Sequence, residues 1–346
     1  MGQVFLFGAG ASREYRGIKG PLFLDTDFFT VVEQMWSDWF YDGEPDPIVG
    51  YDRRPYFHGG DRWDWPTLRR VIEVRFNRAV TDLGLEVAFS VIYEKDPECV
   101  DAFVRGIELA IFYKIRAVSE TELACHAEFF RRVLRPGDTI LTFNYDPLIE
   151  FAVQIVAQHR GIIWDAGDGH AMDFAGEISA TNEESPPEQR ARSNIRILKL
   201  HGSMNWLVPL EWDGRTAPYL FRLSAGSFKG VGFVEHRNGA GQVLRPLFVP
   251  PMPGKVYRAL GLGRLWEEAK AALGAAERLT VIGYSFPSTD PDARQLIADA
   301  NVGLSGPDRV VYITPSESDA ALWMKRLFPQ ADLQFKTFGK FVEGCR

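Results

Sequence analysis

The sequence predicts an α/β protein: a Rossmann-like, doubly wound, mainly parallel sheet with a helical insertion. Three observations predict it. Short, nearly continuous apolar runs recur along the chain with helical stretches between them, the pattern of parallel strands covered on both faces. Several of these runs stop abruptly at Gly, Asn, His or Ser, and the carboxyl edge of such a sheet is where ligands bind. A block with helical periodicity interrupts the alternation at about 61–134.

The first run, Val4–Phe7, empties into Gly8-Ala9-Gly10-Ala11-Ser12. A strand leading to a glycine pair lets backbone amides approach a phosphate, and Ser12 adds a hydroxyl. The dinucleotide fingerprint G-x-G-x-x-G would place a third glycine where Arg13 stands, and Gly17, Gly20 and Pro21 cut the following helix short. The same residues serve equally well as a glycine turn without a ligand. Tyr41–Arg62, rich in Gly, Pro and Asp, reads as a loop. In the block that follows, Leu68, Ile72, Phe76, Ala79 and Leu83 recur at spacings of three and four, and Phe103, Ile107, Ala110 and Ile111 repeat the stripe. Both patterns predict amphipathic helices.

Thr139–Phe143 is the next strand, ending in Asn144-Tyr145-Asp146-Pro147. Pro147 suits a first helical turn and Asp146 a cap, so the stretch reads either as helix punctuation or as an amide and a carboxylate at the sheet edge. Thr181–Ser193 is a charged, proline-containing loop candidate. Ile195–Leu200 then delivers His201 to a strand end, where Gly202 turns the chain. An imidazole there reads either as a satisfied structural group or as one suited to take a proton from a water or a sugar hydroxyl. Leu247–Val249, Leu279–Tyr284, Val310–Thr314 and Leu333–Phe338 complete the strand candidates. The fifth ends in Gly283-Tyr284-Ser285, and Ser288, Thr289 and Asp290 before Pro291 read as a helix start.

Composition bounds the function. The chain has 346 residues, 46% hydrophobic and 25% charged, enough to bury a substantial core without covalent staples. A net charge of −7 argues against a surface that wraps duplex DNA, and Arg131, Arg132 and Arg135 read as one solvated helix face. Cys99, Cys125 and Cys345 are far apart, without a C-x-x-C pair; this excludes a four-cysteine zinc site and fits a reducing compartment. With neither a signal-peptide pattern nor a long apolar stretch, the expectation is a cytoplasmic chain forming one domain over 1–346, without a membrane or a metal.

Taken in order, GAGAS, TFNYD, LHGSMNW and IGYSFPSTD resemble the sirtuin-like domain of prokaryotic NAD-consuming proteins of antiphage-defence type; PLFVPPMPGK is similar to their proline-rich segment. The resemblance implies NAD⁺ as substrate. It implies Gly8, Gly10, Ala11 and Ser12 as the phosphate loop, Asn144 as the amide that orients ribose or water, and Asp146 near the carboxamide. His201 would be the base, and Gly283 and Ser285 would face the adenosine half. It further implies a homo-oligomer or a defence partner, for example an ATPase or an Argonaute-type protein, that controls a toxic activity. The four-cysteine zinc module of sirtuin deacylases is missing, and Gly17–Phe23 departs from their G-I-P-D-F-R segment. The implied reaction is therefore hydrolysis of the nicotinamide–ribose bond. The alternatives are an NAD-binding recruitment module without turnover, or an ADP-ribosyl or deacylase transferase.

Overall fold

The computed structural model describes residues 2–17, 19–40, 64–115, 119–156, 161–179, 183–186, 192–211, 220–223, 236–249, 261–300, 304, 306 and 309–345. The loop expected at Tyr41–Arg62 lies outside them, as does most of Thr181–Ser193.

Six parallel strands form the main sheet: β1 (Gln3–Phe7), β2 (Thr139–Thr142), β5 (Arg196–Lys199), β10 (Arg278–Ile282), β11 (Val310–Thr314) and β12 (Asp332–Phe335). Their order is β12-β11-β10-β1-β2-β5, with Phe5 opposite Thr280 on one side and Ile140 on the other. The chain winds outward from β1 through β2 to β5, then returns to β10 and winds the other way. The topological switch point therefore lies between β1 and β10, where an open α/β sheet places its ligand crevice.

Residues of these strands alternate between two cores. Phe5 and Phe7 enter one, Val4 and Leu6 the other; Val311 and Ile313 part from Val310 and Tyr312 in the same way. Continuous apolar runs are thus what the sheet requires, because both faces are covered. One face carries α6 (Ala124–Arg132), α7 (Leu148–Val156) and α12 (Phe338–Gly344), with Phe129 set edge-on to Phe5 and Phe7. The other carries α9 (Gly263–Gly274), α10 (Pro291–Asp299) and α11 (Asp319–Leu327). Arg131 and Arg132 pair with Glu128 on the exposed side of α6, a solvated face.

A helical layer precedes α6: α2 (Phe28–Phe40), α3 (Trp65–Phe76), α4 (Leu85–Lys95) and α5 (Val100–Lys114). The stripe from Leu68 to Leu83 is not one helix. Asp64 caps α3 by accepting from the Thr67 amide at 3.3 Å, and Asn77 ends it at φ 48°. Val80–Asp82 then forms a 3₁₀ turn, so Ala79 and Leu83 lie beyond the break. Phe103, Ile107, Ala110 and Ile111 are buried on α5 as expected.

A second sheet departs from the sequence-based expectation. Strands β3 (Gly176–Ile178), β4 (Glu184–Ser185), β6 (Gly202–Pro209), β7 (Phe221–Leu223), β8 (His236–Arg237) and β9 (Val243–Phe248) form it in the order β4-β3-β7-β6-β9-β8. The Leu247–Val249 run belongs here: β9 pairs antiparallel with β6, Gly202 opposite Phe248. The last expected strand, Leu333–Phe338, stops early as β12 (Asp332–Phe335), because Thr337 accepts from the Lys340 amide and starts α12 at Phe338. Helix α8 (Ala166–His170) packs beside β5. Among the described residues, no helix is long and apolar enough to cross a membrane.

Candidate active site

Two glycine loops meet at the switch point. The Gly8 amide donates to the Ile282 carbonyl at 3.0 Å, and the Gly10 amide to the Gly283 carbonyl at 2.9 Å. A Cβ at Gly8 would lie 2.4 Å from Tyr284 Cα, closer than a carbon can approach. Gly283 sits at φ +62°, where a Cβ would fall 2.6 Å from the Ala11 amide nitrogen. These glycines therefore let two strand ends press together. The Ala11 amide donates to the Gly8 carbonyl at 2.9 Å, closing α1 (Ala9–Ser12), a single turn capped by Arg13.

Ser12 is buried beneath this junction and links it to the end of β2. Its Oγ donates to Asp146 Oδ2 at 2.8 Å and accepts from Asn144 Nδ2 at 2.9 Å. The other Asp146 oxygen accepts from the Leu148 amide at 3.1 Å at the start of α7. Asp146 is thus the helix cap and, through the Ser12 hydroxyl, fixes the Asn144 side chain. Burial pushes its carboxyl above the usual range, while Lys199 and the Ser12 hydroxyl pull it back. Lys199, the wholly buried last residue of β5, donates from Nζ to the Asp146 carbonyl oxygen and lies 3.1 Å from Glu150 Oε1. Behind that pair, His170 Nδ1 donates to the Ile197 carbonyl at 2.6 Å, and burial lowers its pKa to about 3. His170 is therefore a neutral core group.

His201 follows one turn beyond β5. Its Nε2 stands 2.9 Å from Asp290 Oδ2, with both side chains almost completely buried. Asp290 also accepts from Tyr284 Oη at 3.2 Å and from the Ala293 amide at 3.3 Å, the second bond capping α10. The imidazole ring is set against Phe143, centroids 4.9 Å apart, and Phe143 stacks on Tyr284 at 4.6 Å. Tyr145 Oη donates to the Val249 carbonyl at 2.8 Å, tying the Asn144–Asp146 turn to the exit of β9. An imidazole fixed by a buried carboxylate has a set orientation, and the carboxylate stabilises the imidazolium formed when the ring takes up a proton.

Gly10, Asn144, Asp146, His201, Gly283 and Ser285 all line one cleft of about 740 Å³, a size suited to a drug- or cofactor-sized molecule. Gly8, Ala11 and Ser12 do not line it; they build its floor from below. The helical layer contributes Leu85, Glu86, Phe89 and Ile111 to the same lining, and Asp25 joins them there. Burial raises the Asp25 carboxyl, although its Oδ1 accepts from the Glu86 amide at 2.6 Å. Asp290 is the functional candidate whose second role sequence reasoning missed: its cap signal was legible, its bond to a distant histidine was not. Lys199 and Glu150 gave no signal, since a lysine at a strand end ordinarily points to water. Among the described residues, no cluster of His, Cys, Asp and Glu is arranged to hold a metal ion.

No family model and no curated protein matches the chain. Among solved structures it is similar to a triple mutant of a Sir2 homologue in complex with 2'-O-acetyl ADP ribose, at 17% identity over 99% of this chain and 88% of that one, TM-score 0.43. It is also similar to a Sir2 mutant with a p53 peptide and NAD, at 13% identity over 99% and 90%, TM-score 0.42. At identities and TM-scores this low the likeness adds no weight to the site, whose reading rests on its own atoms.

Proposed function

We propose that this protein cleaves the nicotinamide–ribose bond of NAD⁺ with water, releasing nicotinamide and ADP-ribose. The observation that carries the reading is the convergence of the carboxylate-backed His201 and the anchored amide of Asn144 on one cleft at the switch point. The ordered motifs in the sequence support the choice of dinucleotide. In this mechanism the anomeric C–N bond breaks, and its electron pair neutralises the positive charge of the nicotinamide ring. The ribose carbon gains oxocarbenium character, and a water oxygen bonds to it. Asn144 orients that water or the ribose hydroxyls, and His201 takes the water's proton while Asp290 stabilises the resulting imidazolium. The leaving group is already activated by its charge, so the protein's task is to hold the ribose, exclude bulk water and place one water.

The same cleft would serve transfer to a protein nucleophile in place of water, and the products separate the two. Purified protein incubated with NAD⁺ is expected to release nicotinamide and free ADP-ribose; label retained on protein would mean transfer. His201→Ala and Asn144→Ala are expected to fold and to lose turnover by about 10²-fold or more, the ordinary contribution of positioned proton transfer. Wild-type rates in both variants would refute the residue assignments. An activity of this kind depletes a central metabolite, so we further propose control by self-assembly or a partner protein, in keeping with an antiphage effector. Turnover that is independent of protein concentration and unrestrained in cells would refute that control.

A further inference from the structure

A dinucleotide brings a pyrophosphate with two negative charges, and something in the cleft must meet it. In a G-x-G-x-x-G loop, backbone amides at the start of a long helix do so. Here the Gly10 and Ala11 amides have other work. Gly10 donates to Gly283 and Ala11 to Gly8, and α1 is only four residues long. The charged side chains lining the cleft are mostly acidic: Glu14, Asp25, Glu86, Asp146 and Asp319. Arg13 and Lys336 are its two permanent cations among the described residues.

These two cations are not equivalent. Lys336 follows the edge strand β12, three strands from β1, which at about 4.8 Å per strand is roughly 14 Å away. Its ammonium lies over the Phe341 ring, 5.4 Å from the centroid. Arg13 hangs directly from the loop after β1, at the switch point. Its side chain is 44% exposed and its guanidinium faces Asp27 at 3.5 Å, a long contact open to solvent. Lys114 also acts on this rim: its Nζ donates to the Lys19 carbonyl at 2.7 Å, and burial lowers its pKa, with Asp27 pulling it back up and Lys19 and Arg13 adding smaller repulsion. Because its contact to Asp27 is long and open to solvent, the Arg13 guanidinium is available to an anion arriving at this rim. A guanidinium presents its donors as a planar fork that matches two phosphate oxygens.

We propose that Arg13 is the side chain that binds the pyrophosphate of the dinucleotide in this cleft, in place of the loop amides that its glycines would otherwise supply. The residue that breaks the dinucleotide fingerprint is thus the one that replaces its function. The proposal rests on the dinucleotide reading above, and the probes are chosen to separate the two. ADP-ribose carries the pyrophosphate and adenosine does not, and neither needs turnover to be measured. Titration of the full chain by calorimetry is expected to show Arg13→Gln weakening ADP-ribose by about tenfold or more, as expected for loss of a charge-assisted bidentate contact. Adenosine is expected to change by less than about twofold, and Arg13→Lys, which keeps the charge but loses the fork, to fall between wild type and Arg13→Gln. The exposed side chain can change without disturbing the fold, which a thermal melt checks. ADP-ribose binding to Arg13→Gln with wild-type affinity overturns the assignment, and so does an equal loss for adenosine. If the wild-type chain binds neither ADP-ribose nor adenosine, the dinucleotide reading fails and this assignment fails with it.

Discussion

Asp290→Asn isolates the charge that holds the His201 imidazole. The wild-type carboxylate accepts from His201, Tyr284 and the Ala293 amide at 2.9, 3.2 and 3.3 Å, in a position closed to solvent. Asparagine keeps the shape but offers one acceptor oxygen where the carboxylate had two. If that oxygen serves the helix cap, the amide NH₂ confronts His201 and Tyr284; if it turns to His201, the cap is lost. A hydrogen bond to a charged group contributes about 1.5–3 kcal/mol, and a cap about 1 kcal/mol. Either arrangement predicts a loss of about 2–3 kcal/mol, measurable as a shift of the urea midpoint at unchanged slope. NAD⁺ turnover should fall further than stability does, by about 10²-fold or more, because the imidazole loses its orienting partner. Asp290→Ala, which removes all three acceptors, should be less stable still. An Asp290→Asn protein within about 0.5 kcal/mol of wild type, turning over NAD⁺ at the wild-type rate, would refute the pairing.

Three further outcomes follow from the buried groups. Lys199→Met should destabilise by about 3–5 kcal/mol, because Glu150 is left as an uncompensated buried charge; adding Glu150→Leu should restore most of the loss in a denaturation series. His126 is fully buried with its pKa lowered to about 4, against about 6.5 in the unfolded chain, so the unfolded state binds more protons between those values. Stability should therefore be full above pH ~6.5 and fall toward pH ~4, by about 3 kcal/mol from this group alone; a shallower fall of the urea midpoint for His126→Phe than for wild type over that window checks the source, the remaining slope coming from His170, which burial shifts in the same direction. Gly283→Ala forces a Cβ to within 2.6 Å of the Ala11 nitrogen at a φ of +62°. It should cost at least the ~1–3 kcal/mol of a strained backbone and abolish turnover, and an unchanged melting temperature would contradict the apposition of the two loops.

The strands of the main sheet were legible because burial on both faces leaves an unbroken apolar run, as in Val4–Phe7 and Val310–Thr314. The caps at Asp146 and Asp290 were legible because capping is local: the donor lies two or three residues away. What stayed hidden depends on distance. Nothing local distinguishes Leu247–Val249 from a central strand, since its partner β6 is chosen by tertiary packing. The amphipathic stripe past Phe76 kept its spacing while Asn77 turned the backbone into the left-handed region. The meeting of His201 with Asp290, and of Lys199 with Glu150, joins segments brought together only when the sheet closes around β1.

The stitched glycine loops also bear on how such signatures are read in other chains. Gly8 and Gly10 answer to Gly283 and Tyr284 across the switch point, so the two short motifs behave as halves of one signature. A glycine pair after a first strand reports contact with a second loop before it reports a ligand. In uncharacterised sequences, the later I-G-Y-type turn is therefore the element to search for jointly, and paired replacement at both positions is the change that drift would have to find.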